Sequence, residues 1–264
     1  MTSSTSAQRR QSERPRSYRE GVLSAIAIIP SAPVLVPQLL GAAAAELTDL
    51  RQAVFAAAGA LPERWLAVGV GLADEMVGPR DAGTFAGYGV DLAVRLSPDA
   101  GPDVVGVGAL PLSALITAWV RGEVRPSASA EVWVFAGEHS TEDAIRRGAR
   151  LRSAVDDTDD PVGVLVVADG ANTLTPRAPG GHDPGAVAVQ STLDEALAAG
   201  DIKALARLPS SITGRVAWQV LAGLAGAPPR SVKELYRGAP FGVGYFVGVW
   251  LPEGWSVATG ESTQ

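Results

Sequence analysis

The sequence predicts an α/β fold, with a mostly parallel or mixed central sheet covered by helices on both faces. Three observations carry this. Short apolar runs recur at Val22–Ile29 (VLSAIAII), Trp65–Val70 (WLAVGV) and Val162–Val167 (VGVLVV), with the unbroken hydrophobicity of strands buried on both faces. Between them lie stretches with apolar residues at helical spacing. Strand and helix patterns therefore alternate, as crossover connections between parallel strands require.

In order, the first strand ends at PSAPVLVPQL, where Pro30, Pro33 and Pro37 impose an extended loop. Leu39–Leu61 is Ala-rich with Leu47, Leu50, Val54 and Phe55 at helical spacing, which predicts one amphipathic helix. A long loop follows Trp65–Val70, with an edge strand expected at Val90–Leu96 and a helix at Pro111–Arg121. Glu131–Phe135 reads as a strand, and Ser140–Val155 as a helix capped by Ser140 or Thr141 with Glu142 and Asp143 in its first turn. After Val162–Val167 come helices at Ala186–Ala199, Asp201–Leu208 and Thr213–Leu224. Two closing strands, Ser231–Tyr236 and Phe241–Leu251, are expected to form an antiparallel hairpin at one side of the sheet.

Composition narrows the chemistry. The chain has no cysteine, which excludes disulfides, thiolate metal sites and cysteine nucleophiles. It has two histidines, His139 and His182, a poor supply for metal binding or imidazole catalysis. Residues 1–20 carry Arg9, Arg10, Arg14, Arg16 and Arg19 against Glu13 and Glu20, leaving the remainder near −9 (17 basic against 26 acidic residues). So acidic a body argues against nucleic-acid binding. The first apolar run is too short to span a bilayer, and no cleavage-site pattern follows it, so a cytoplasmic location is expected.

One α/β domain is expected over residues 21–254, between a disordered basic tail at 1–20 and a flexible C-terminus at 255–264. A strand pattern begins at Val22, and no methionine follows Met1 before Met76. A translation start near Val22 is therefore expected, and the intact mass of the native protein tests it.

Glycine patterns at Val68–Leu72 (VGVGL) and 242–245 (GVGY) do not open helices and read as structural, not as phosphate cradles. His139, just before a helix, reads as a surface residue. The loop after the third buried strand, 166–184 (VVADGANTLTPRAPGGHDP), is the candidate site loop, because α/β sheets bind ligands beyond the carboxyl ends of their strands. There His182, Asp183 and Asp169, with Asp74 from an earlier loop, form a candidate oxygen-rich metal site. The competing and preferred reading has Asp183 capping the next helix and His182 in solvent.

Four segments resemble the class III extradiol ring-cleavage dioxygenase superfamily. Pro30–Gln38 (PSAPVLVPQ) is similar to the family's PHPPLLIPE, and 66–71 (LAVGVG) to a strand that ends in histidine. Asp169–Pro176 (DGANTLTP), continuing to APGGHDP, is similar to GDLSHRLTPDAPGGYDP, and Tyr236–Tyr245 (YRGAPFGVGY) to YEGPFGVGY. The matches span residues 22–251 in order. The resemblance implies a non-haem Fe(II) held by two histidines and a glutamate, with a further histidine as acid/base. At those positions this chain carries Ser31, Gly71, Arg237 (or Gly238, with the gap one residue along) and Asn172.

The resemblance therefore implies a non-catalytic relative without a cofactor, a pocket of Ser31, Gly71, Asn172 and Arg237, and a small anionic or aromatic ligand. Asp74, Asp169, Asn172 and Arg237 are the ligand-binding candidates. Arg237 is expected either to pair with Asp169 or Asp74, or to offer its charge to an anion. The alternative is an active dioxygenase or other oxidoreductase with a non-standard metal site at Asp169, His182 and Asp183. The resemblance also implies a homo-oligomer.

Overall fold

The computed structural model describes residues 22–101 and 110–252. The basic tail, the start near Val22 and the flexible C-terminus fall outside them in whole or in part. Among the described residues no helix is long and apolar enough to cross a membrane.

The elements in chain order are β1 (Leu23–Ile29), α1 (Pro37–Leu40), α2 (Thr48–Gly59), β2 (Arg64–Gly71), β3 (Glu75–Val77), β4 (Ala82–Thr84), β5 (Ala93–Arg95), α3 (Leu112–Val124), β6 (Ser129–Ala136), α4 (Thr141–Asp156), β7 (Val162–Val167), α5 (Ala186–Ala199), α6 (Ile202–Leu205), α7 (Arg215–Ala225), β8 (Ser231–Gly238) and β9 (Tyr245–Leu251). The fold is α/β. Its seven-stranded mixed sheet runs β3-β6-β2-β7-β1-β9-β8. β6, β2, β7 and β1 are parallel, β3 pairs antiparallel with β6, and β9 and β8 close the other side antiparallel. The closing hairpin is thus as expected.

Period-2 alternation divides the core into two layers. Ala27, Ile29, Ala67, Val132, Leu165, Val167, Tyr245 and Val247 face α2 and α3. Ile26, Ile28, Val68, Val164, Val166, Phe246 and Trp250 face α4, α5 and α7. The central strands β1 and β7 are buried along their whole length, which is why they read as continuous apolar runs.

Two expectations need correcting. The single helix over 39–61 is broken: α1 stops at Gly41, whose φ of 55° suits glycine, and a 3₁₀ stretch Gly41–Leu47 precedes α2. The edge strand at 90–96 does not join the main sheet. Its core, β5, pairs with β4 in a separate ribbon, while β3 supplies the edge. Gly89, at φ 98°, closes the 3₁₀ turn Phe85–Tyr88 between β4 and β5, and Arg121 of α3 donates to the Arg95 carbonyl. The ribbon is therefore tied to α3 and, one residue past β5, to β6, where the Ala130 N–H donates to the Leu96 carbonyl at 2.8 Å. Caps follow local chemistry: Ser140 accepts from the Asp143 N–H at the start of α4, and Asp201 accepts from Lys203 and Ala204 at α6.

Candidate functional site

β1, β2 and β7 end together at the carboxyl edge of the sheet. Continuing their alternation by two residues puts Ser31, Gly71 and Asp169 on the α2/α3 side, together with Tyr245 of β9 and Tyr236 of β8. The contacts agree. The Ser31 backbone N–H donates to Asp169 Oδ1 at 2.8 Å. The Asp169 carbonyl accepts from the Gly214 N–H at 2.9 Å and from the Trp218 indole at 3.2 Å, so α7 holds the backbone from the opposite layer.

Asp169 is shielded from water in part, not wholly, and among the described residues no cation pairs with it. Burial raises its carboxyl to about 7, against the lowering effect of the Ser31 N–H. Burial also raises the neighbouring Tyr245 hydroxyl, with further contributions from the Asp169 charge and from Tyr236. The edge is therefore a proton-retaining cluster of one carboxyl and two phenols. Tyr236 and Tyr245 were not among the residues singled out from the sequence. Their signal was the alternation of the closing hairpin.

The loop after β7 is locked by glutamine. Gln190 of α5 accepts from the Ala171 N–H at 2.8 Å and donates to Asp194 at 2.8 Å. A Cβ on Gly170 or Gly244 would stand 2.0 or 2.2 Å from the Gln190 amide, so a side chain at either position would displace that amide from the loop. Asp194 is raised to about 6, chiefly by burial, with the Gln190 bond opposing. Gln190, like the two tyrosines, was not anticipated. The spacing of Gln190 and Asp194, four apart on one helix face, is its trace in the sequence.

Arg237 lies on the opposite face of the sheet. It pairs with Glu234 at 2.7 Å and reaches the Asp194 carbonyl of α5 at 3.4 Å, not Asp169 or Asp74. The cause is a β-bulge between Glu234 and Tyr236, where the register against β9 shifts by one and reverses the parity of the following residues. Gly238, the alternative match, shares the face of Tyr236, and a Cβ there would stand 2.6 Å from the Tyr236 hydroxyl. Asn172 sits in the loop, its carbonyl accepting from the Gly180 N–H at 2.9 Å and its side chain packed on Gly180.

Asp74 is already committed. His139 Nε2 lies 2.6 Å and Arg147 2.8 Å from its oxygens, and the Ala136 N–H donates to it at 2.9 Å. Burial pulls its pKa up, but these hydrogen bonds and charges hold it below the usual carboxylate range. His139 is therefore a lock on the loop after β2, not a bare surface residue. Asp183 accepts from the Gly185 N–H at 2.8 Å ahead of α5, and His182 is exposed. Asp169, His182 and Asp183 are not gathered: among the described residues no three His, Cys, Asp or Glu side chains group to hold a metal.

Nor do the residues at the resemblance positions fit an Fe(II) held by two imidazoles and a carboxylate. Gly71 and Gly238 offer no side-chain donor, Arg237 is turned away, and the nearby Asp169 carboxyl favours its proton.

The edge does carry a cavity. A space of about 460 Å³ lies between β2, β4 and the start of α3, lined by Gly71, Leu72, Thr84, Tyr88, Leu112 and Leu115 among others. Among the described residues Glu75 is the one charged residue of its lining, and Leu72 at its rim is fully exposed.

No family model and no curated protein matches the chain. Among solved structures, it is similar to an uncharacterized protein from Escherichia coli K12, at 11% identity and a TM-score of 0.49, over 86% of this chain and 99% of that one.

Proposed function

We propose that this chain is a non-catalytic relative of the class III extradiol dioxygenases that binds a small, uncharged aromatic ligand at the carboxyl edge of its sheet. One observation carries the reading. The face on which the resemblance would place iron presents Ser31, Gly71 and Gly238, and an apolar cavity opens beside Gly71. A cavity of this size, walled by Leu112, Leu115 and Tyr88, suits one or two aromatic rings. With Arg237 bound to Glu234 on the far face and Glu75 in the lining, a negatively charged ligand finds no counter-charge among the described residues there.

The test uses 1-naphthol and its anionic analogue 1-naphthoate, followed by calorimetry. Saturable binding of 1-naphthol is expected, weaker by about tenfold or more in Leu112→Trp, which fills the cavity, at unchanged thermal stability. Equal affinity in the two proteins, or tighter binding of 1-naphthoate that Leu112→Trp weakens, would contradict the assignment.

A further inference from the structure

A second groove lies on the α2/α3 layer, between β5 and the C-terminal half of α3, with a volume of about 390 Å³. It shares no lining residue with the carboxyl-edge cavity. Arg121 of α3 lines it, although the residue is only 6% exposed.

The hydrogen bonds of Arg121 can be counted. A guanidinium has five N–H groups: one on Nε and two on each terminal nitrogen. Nε donates to the Arg95 carbonyl at 2.9 Å, and Nη1 donates to the Pro126 and Ala128 carbonyls at 2.5 and 3.1 Å. Three N–H groups thus tie the turn after α3 to the β4–β5 ribbon. The two on Nη2 have no hydrogen bond among the described residues, and Nη2 is not one of the sealed, unpartnered atoms. Arg121 is one of the residues lining the groove, and Nη2 is the part of its guanidinium left for a ligand there.

The charge is as exposed a problem as the unused donors. All three acceptors are neutral carbonyls, and among the described residues no carboxylate pairs with Arg121. A buried cation held only by dipoles gains from an anion delivered to its free amino group, and two parallel N–H groups favour an oxyanion. Arg95 and Glu123 also line the groove and contribute one charge of each sign, so among the described residues its net charge is that of Arg121. The lining is mixed: beside the charged residues stand Val94, Ala118 and Trp119, whose ring packs tilted on Phe55. A hydrated inorganic ion has little use for these apolar neighbours, whereas a planar apolar body behind a carboxylate does.

We propose that the groove between β5 and α3 is a binding site for an aromatic carboxylate, with Arg121 Nη2 as charged donor and Trp119 as wall. The structural ties of Arg121 and this role use different N–H groups of one side chain.

The test is a titration of ¹⁵N-labelled protein, observing the Arg121 side-chain resonances, with benzoate, benzamide and inorganic phosphate as separate ligands. A saturating shift with benzoate at about 1 mM or tighter is expected, with benzamide and phosphate each about tenfold or more weaker. Because Arg121→Gln risks the fold, the variants are Glu123→Gln and Arg95→Gln, at exposed positions. The first is expected to tighten benzoate binding and the second to weaken it, each by about two- to threefold, as rim charges do. No saturable shift, or benzamide equal to benzoate, overturns the site. Phosphate equal to benzoate overturns the aromatic wall. Insensitivity to both variants overturns the location.

Discussion

Gly148→Val is expected to unfold most of the protein at temperatures where the wild type is fully folded. α4 and α7 cross in backbone contact, and each contributes a glycine at the crossing. A Cβ on Gly148 would stand 2.0 Å from the Val220 carbonyl oxygen and 2.8 Å from the Leu224 nitrogen. Reciprocally, a Cβ on Gly223 would stand 2.0 Å from the Ile145 carbonyl oxygen. Neither neighbour can rotate away, because both are helix backbone.

Even Gly148→Ala must therefore push the helices apart. Its helix-propensity gain of about 1 kcal/mol does not offset an overpacking cost of roughly 3 kcal/mol or more. Valine adds further bulk. α7 carries Trp218, and Gly214 precedes it, so separating the helices also loosens the backbone of Asp169. Urea unfolding of Gly148→Ala measures the effect, with Gly122→Ala as control. Gly122 is exposed on α3 with no atom near its Cβ position, and there alanine is expected to stabilise by about 0.5–1 kcal/mol. An unchanged midpoint for Gly148→Ala would contradict the packing described.

The second large effect is a dependence of stability on pH that runs opposite to ordinary acid denaturation. Asp169 is raised from the usual carboxylate range to about 7 in the folded protein. Between the unfolded and folded pKa values, the folded state binds the extra proton, so stability falls as pH rises through that window. The contribution is complete below about pH 4 and lost above about pH 7, and a shift of this size corresponds to roughly 2–4 kcal/mol. Asp194, raised to about 6, acts in the same direction.

Asp169→Asn keeps an oxygen to accept the Ser31 N–H but has no proton to lose. The variant is therefore expected to melt higher than wild type at pH 8 and much closer to it at pH 5, with a smaller residual slope left to Asp194. Melting curves across that range check this. A variant less stable than wild type at pH 8 would show that the carboxylate has a counter-charge in the folded protein.

What the sequence made legible follows from physics that is local along the chain. The fully buried strands β1 and β7 announce themselves because both of their faces need apolar residues, and α4 because Ser140, Glu142 and Asp143 mark its first turn. The three-residue strands β3 and β4 leave no periodicity to read, and the break at Gly41 is hidden within an alanine-rich run that favours helix.

At the carboxyl edge, Asp169 was legible because it follows a recognisable strand, whereas Ser31 and Gly71 were singled out only through the resemblance. Arg237 was misplaced because a bulge one turn of the ladder earlier cannot be seen in the residue pattern, and a one-residue slip exchanges the faces of a strand. The partners of Asp74 were likewise illegible. His139 and Arg147 lie more than sixty residues away in the chain, and only the parallel pairing of β2 with β6 brings them beside it.

The central proposal is that the iron chemistry of the resemblance is gone while its scaffold persists. The most direct measurement is iron content together with oxygen uptake on catechols, for protein purified and assayed with Fe(II) under reducing conditions. Substoichiometric iron and no oxygen uptake above the protein-free rate are expected, because the positions in question offer Ser31, Gly71, Asn172 and Gly238 in place of imidazoles and a carboxylate. One iron per chain with cleavage of the catechol ring would contradict it.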